Sequence, residues 1–156
     1  HYNTNGTVMP EGYRLWRHFK HVEVAFSIDD VADRFEYQRT NAGWAEVEAN
    51  IAKFRELRNQ HKNIQLQVCS TVNVFNVCYL EELSHWIDQQ NFDFVYWNMM
   101  HEAYYFSIST LPEAAKIAIT DHLRSADVDD LIKKEFDKSI LTYKIFIYLL
   151  LRSLSY

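Results

Sequence analysis

The chain has 156 residues, 48% hydrophobic and 24% charged, with only three glycines and two prolines. That composition suits one folded domain, or part of a larger one, and excludes both a disordered chain and a turn-dense all-β chain. A net charge of −5 removes any general electrostatic basis for holding nucleic acid or an anionic membrane surface.

The first residues, HYNTNGT at 1–7, form a polar string of the kind that closes an element. Asn5-Gly6-Thr7 matches a glycosylation sequon, but no secretory signal precedes it and the match is read as chance. A helix is expected over 9–19, with Pro10 near its start, where a missing N–H costs little. In VEVAFSID, 22–29, Val22, Val24, Phe26 and Ile28 alternate with Glu23, Ala25, Ser27 and Asp29, the period of a strand. DRFEYQRT, 33–40, reads as a loop, followed by a helix over 43–61 with Trp44, Val47, Ile51, Phe54 and Leu57 in one stripe.

A second alternating strand covers IQLQVCST, 64–71, and a third, more apolar one covers FDFVYWNM, 92–99. The helix between them, 79–90, carries Leu80, Leu83, Trp86 and Ile87 on one side. Helical patterns continue over 111–125, 127–138 and 140–154. The last, ILTYKIFIYLLLRSL, carries Lys144 and falls short of the ~20 apolar residues that span a bilayer, so a buried terminal helix is expected.

Alternating helices and strands predict parallel strands joined by right-handed crossovers. In a doubly wound sheet both strand faces are covered and read as nearly continuous apolar runs. Here one face is apolar and the other offers Glu, Gln, Ser, Asp, Cys and Thr, which favours a barrel or half-barrel with helices outside and a polar interior.

Ligands of such folds sit at the C-terminal strand ends. SIDD, 27–30, places Ser27 and Asp29 two apart, on one face, where a hydroxyl and a carboxylate can hold vicinal hydroxyls or an amino-acid group. The same residues could instead cap a turn or helix. Arg39 could reach back as a bidentate carboxylate ligand or remain a surface residue. Asn73 and Asn76 lie between strand and helix, suited to a ligand or to helix capping. Trp97 could lie along an adenine or fill the core.

DDVAD, 29–33, matches the aspartate-rich pattern that holds magnesium diphosphates in isoprenoid synthases, but those enzymes are all-helical and no partner motif is present. The histidines form no HExxH set; His18 and His21 straddle a helix end and a strand start. Cys69 and Cys78 match no zinc or disulfide framework and point to a reducing, cytoplasmic compartment.

Taken in order, TNGT (4–7), VEVAFSIDD (22–30), RFEYQRTNAGWAEVEANI (34–51), VCSTVNVFNVCYLEEL (68–83) and FDFVYWNMM (92–100) resemble the third to sixth strands of the radical S-adenosylmethionine enzymes. YYFSISTLP, 104–112, is similar to the segment after the barrel in twitch-type members. The resemblance implies an α/β fold: an incomplete (β/α)₆ half-barrel of about three parallel strands with flanking helices over 1–103, then a helical extension over 104–156. It implies S-adenosylmethionine binding by Asn5, Ser27, Asp29 and Arg39, with Val72 and Trp97 near the adenine.

In that family a [4Fe–4S] cluster cleaves S-adenosylmethionine to a radical that abstracts a substrate hydrogen, from a peptide or a small molecule. The cluster needs three thiolates in a CxxxCxxC loop, whereas Cys69 and Cys78 come too late and at the wrong spacing. The expectation is therefore the C-terminal half of such a barrel, inactive alone, with the cluster ligands outside this sequence. The alternative is a non-catalytic α/β interaction module.

Overall fold

A computed structural model describes residues 1–128, 130, 132–134, 136 and 137. The helical pattern over 140–154 lies outside the described residues, and that over 127–138 lies partly outside them. The core is a parallel sheet of four strands, β1 (Tyr2–Thr4), β2 (Val22–Ser27), β3 (Ile64–Val72) and β4 (Phe94–Met99), in the order β1-β2-β3-β4. The connections are a 3₁₀ helix (Glu11–His18), α1 (Ala32–Gln38) with α2 (Trp44–Gln60), and α3 (Leu80–Gln90). Two short 3₁₀ turns, Tyr104–Phe106 and Ile108–Thr110, lead into α4 (Glu113–Ser125).

Register converts the alternation into two distinct faces. Val24 pairs with Leu66, and Phe26 with Val68 and through it Val95, so these side chains share one face. Val24, Phe26, Leu66 and Val68 are fully buried there. A seam of rings packs the helices onto this face: Tyr2 on Trp16 at 5.5 Å, Trp16 on Phe54 at 5.8 Å, and Phe54 edge-on to Phe26 at 5.1 Å. It continues through Phe92, Trp86 and Trp44 to Phe35. On the opposite face Ser27 aligns with Cys69 and Tyr96, and Ala25 with Gln67 and Phe94. Among the described residues that face is open: Phe94 and Tyr96 are exposed, and Glu23, Ser27, Gln67 and Cys69 are half-buried.

Several elements differ from the sequence reading, including β4, which starts at Phe94 rather than at 92, and α4, which starts at Glu113 rather than at 111. The sheet has four strands rather than about three, because β1, at three residues, is too short to show alternation. The helix expected over 9–19 is a 3₁₀ helix over Glu11–His18; Tyr13 and Trp16, three apart, are its residues that pack on the core, which suits a period of three. The stretch read as a loop, 33–40, is mostly α1 (Ala32–Gln38), whose single buried residue, Phe35, leaves no stripe to read. The strand expected over 22–29 ends at Ser27.

The turn after β1 is built from side chains. Thr4 Oγ1 accepts the Gly6 N–H at 3.0 Å, and Asn50 Nδ2 on α2 donates to the Gly6 carbonyl at 2.9 Å. Gly6 sits at φ 81°, the left-handed region, and a Cβ there would meet Val47 Cγ1 at 3.0 Å. Gly6→Ala is therefore expected to lower stability by about 1–2 kcal/mol in urea denaturation. Gly12→Ala, where a Cβ meets nothing within 4 Å, is the matched control and should be neutral or slightly stabilising.

Candidate functional site

Beyond Ser27 the chain leaves β2 as Ile28-Asp29-Asp30 and is held by β3 and the loop after it. The Ser70 hydroxyl donates to the Ile28 carbonyl, and Asn76 Nδ2 donates to the Asp29 carbonyl at 2.6 Å. The Asp29 carboxylate then spans two elements. Its Oδ1 accepts the Thr71 N–H at 2.8 Å and its Oδ2 accepts Arg39 Nη2 at 2.6 Å. Asp29 thus joins the C-terminal ends of β2 and β3 to the end of α1. Two of roughly four acceptor positions on a carboxylate are used this way, which leaves capacity for a ligand.

Arg39 caps α1, with its N–H donating to the carbonyls of Phe35 and Glu36, and its guanidinium lies 5.7 Å from the Phe35 ring centre. Arg39 Nε is buried and has no hydrogen-bond partner among the described residues. A buried donor left unmatched costs about 1–3 kcal/mol, so the fork is held short of its full capacity.

Asp30 points the other way and is structural. Its carboxylate is buried, accepting the Val31 N–H and Arg34 Nε, each at 2.9 Å, and Arg34 continues to Glu82 at 2.6 Å. Burial pushes the Asp30 carboxyl up from its ordinary value, against the pull of the Val31 N–H and Arg34.

The loop from β3 to α3 is locked by two asparagines. Asn76 Oδ1 accepts the Asn73 N–H at 2.8 Å, Asn73 Oδ1 accepts the Phe75 N–H at 2.8 Å, and Asn76 Nδ2 also reaches the Thr71 carbonyl at 2.9 Å. Asn73 Nδ2 donates to Gln38 Oε1 at 3.2 Å, tying the loop to α1. Both asparagines are buried.

These groups border an open cleft of about 460 Å³ at the C-terminal edge of the sheet. Asp29, Gln38, Arg39 and Asn73 form its polar side, and Tyr37, Phe75, Met100 and Phe106 its apolar side. The size and the mixture of walls suit a small organic ligand.

Of the residues singled out in the sequence, the structure brings Asp29 and Arg39 into contact. Ser27 lies on the open face one strand step before Asp29. Asn5 follows β1 on the same face by parity, and its Oδ1 accepts from the N–H and hydroxyl of Thr7, so that side chain shapes the turn. Val72 and Trp97 align with Met99 and Ser70 on the helix-covered face and are buried. Tyr37, Phe75, Met100 and Phe106 were not anticipated. The one signal was Asn-Val-Phe-Asn, 73–76, which sets an aromatic residue between two turn-forming asparagines.

The cysteines do not assemble a thiolate centre. Cys69 is on the open face and Cys78 is exposed beside α3; both are free. Among the described residues no three His, Cys, Asp or Glu side chains are placed to hold a metal ion, so the residues present do not fit a [4Fe–4S] cluster. No described helix is long and apolar enough to cross a membrane. Neither a protein-family model nor a curated protein matches the sequence.

Burial, and then the nearby Asp29 charge, push the Cys69 thiol up from its ordinary value. Iodoacetamide at pH 8 should therefore modify exposed Cys78 several-fold faster than Cys69, read by peptide mass spectrometry. Asp29→Asn, which removes the charge and keeps an acceptor for Thr71, should speed Cys69. Faster labelling of Cys69 in the unsubstituted chain would contradict this electrostatic picture.

Proposed function

We propose that the C-terminal edge of the sheet binds S-adenosylmethionine, as part of a half-barrel of the radical S-adenosylmethionine type. The observation that carries the reading is the Asp29–Arg39 pair, set at the strand ends beside an open cleft. The strand order supports the half-barrel: a sheet running β1-β2-β3-β4 in chain order never reverses, whereas a doubly wound sheet does. One polar face and one helix-covered face support it too.

In this reading the free lone pairs of Asp29 accept from ribose hydroxyls or the ligand ammonium, with Ser27 and Asn5 along the same face. Arg39 faces the ligand carboxylate, where its guanidinium offers a planar fork. Val72 and Trp97 meet the adenine through backbone groups alone in this reading, since both side chains are buried on the other face. The family's radical chemistry belongs to an iron–sulfur cluster that the residues here do not fit, so this chain's part is to bind and orient. The substrate in this reading is a peptide or small molecule, and the setting is reducing and cytoplasmic, where Cys69 and Cys78 stay thiols.

A non-catalytic α/β interaction module is the second reading. Its support is the exposure of Phe94 and Tyr96 on the open face, which would meet another polypeptide.

Calorimetric titration of the chain with S-adenosylmethionine separates the two. Measurable heat with one site is expected, weakened roughly tenfold or more by Arg39→Ala. Asp29→Asn, which can keep the Thr71 hydrogen bond but not the Arg39 ion pair, should weaken binding while the chain stays folded, with the unfolding temperature lowered by only a few degrees. No heat with the unsubstituted chain, or equal affinity in both variants, contradicts the proposal and favours the interaction module.

A further inference from the structure

In the proposed function S-adenosylmethionine takes one flank of the Asp29–Arg39 pair, the flank toward Ser27. On the other flank three aromatic rings from three separate segments converge on the cleft. Tyr37 comes from α1, Phe75 from the β3–α3 loop and Phe106 from the 3₁₀ turn after β4. Tyr37 meets Phe75 at 5.9 Å and Phe75 meets Phe106 at 5.3 Å, so the rings form one continuous wall. Yet Tyr37 is 76% exposed and Phe75 39% exposed.

The wall stands on rigid supports. Phe75 follows the doubly anchored Asn73, and the Val74 N–H donates to the Phe106 carbonyl at 3.0 Å, which fixes two of the segments to each other. On the β4 side the Met100 N–H continues the strand pairing through the Val72 carbonyl at 2.9 Å. Exposed rings held in place by satisfied backbone lose little freedom when a flat group covers them. The cleft is also lined by the amides of Gln38 and Asn73, which hydrogen-bond to each other, and the neighbouring charges of Asp29 and Arg39 offset each other. The lining therefore favours no charge of either sign. It matches a flat ring that also carries a hydrogen-bonding group.

We infer that the Tyr37–Phe75–Phe106 wall is a second subsite, which takes an uncharged aromatic or heteroaromatic ring bearing a hydrogen-bonding group. This rests on the proposed function only in assigning S-adenosylmethionine to the other flank; in that setting the ring belongs to the substrate.

The test is an NMR titration of the chain with indole, and with cyclohexanol as the non-aromatic control, each with and without S-adenosylmethionine. Indole should shift the backbone amides of Phe75, Asn76 and Phe106, cyclohexanol should not, and the shifts should persist with S-adenosylmethionine bound. Tyr37→Ala and Phe75→Ala, at exposed positions that leave the fold intact, should each weaken indole roughly three- to tenfold. Phe75→Tyr, which keeps the flat ring, should retain it. No indole-dependent shift at the wall, or equal shifts from cyclohexanol, overturns the inference. Displacement of indole by S-adenosylmethionine also overturns it, because the wall would then hold the adenine. Indole binding at the wall in a chain that gives no response to S-adenosylmethionine supports the subsite and refutes the proposed function.

Discussion

The C-terminal edge of this sheet depends on one carboxylate. Asp29 leaves β2, accepts a backbone N–H from β3 and grips Arg39 at the end of α1. Without it, Thr71 would present an unpaired N–H at the mouth of the cleft, and Arg39 would lose its anchoring partner. Hydrogen bonds to charged groups contribute roughly 1.5–3 kcal/mol where they are shielded from solvent. The pair is about a quarter or less exposed, so part of that is retained. Its larger consequence is geometric, since two strands and a helix end are fixed relative to one another.

The same economy of contacts explains why the two sheet faces behave so differently. The helix-covered face is a ring-rich core in which Phe26 contacts Phe54 and Phe92 directly. The open face is mostly polar along the central strands, with Glu23, Ser27, Gln65 and Gln67, and carries Phe94 and Tyr96 on the edge strand β4. A parallel sheet with one open face is uncommon, because crossover helices usually cover both. Here each crossover advances to the next strand in chain order, and right-handed connections of that kind leave the connecting helices on one side, with the other face open among the described residues. The open face, the polar strand ends and the cleft are therefore consequences of one topology.

Much of this was legible in the residues. Val22-Glu23-Val24-Ala25-Phe26-Ser27 and the alternating run from Ile64 declared both strands and both faces, and the stripe from Val47 to Leu57 declared α2. Asp29 and Arg39 were each expected beside one ligand, but their ion pair was not foreseen; the nine residues between them carry no periodic clue. What escaped did so for physical reasons. β1 is too short to alternate, and α1 buries one side chain, so neither has a period. The aromatic wall comes from an α-helix, a loop and a 3₁₀ turn, and its unity exists only in space. Trp97 illustrates the converse limit. Its residue type suited both adenine and core, and strand parity, invisible without register, set it on the helix-covered face.

The edge around Asp29 is either a ligand site or only a structural clasp. Crystals of the chain soaked with S-adenosylmethionine address that directly. The account predicts density for the ligand's amino-acid and ribose groups against Asp29 and Arg39, with the aromatic wall left free. An empty edge in crystals saturated with the ligand, or density only elsewhere on the surface, would contradict it.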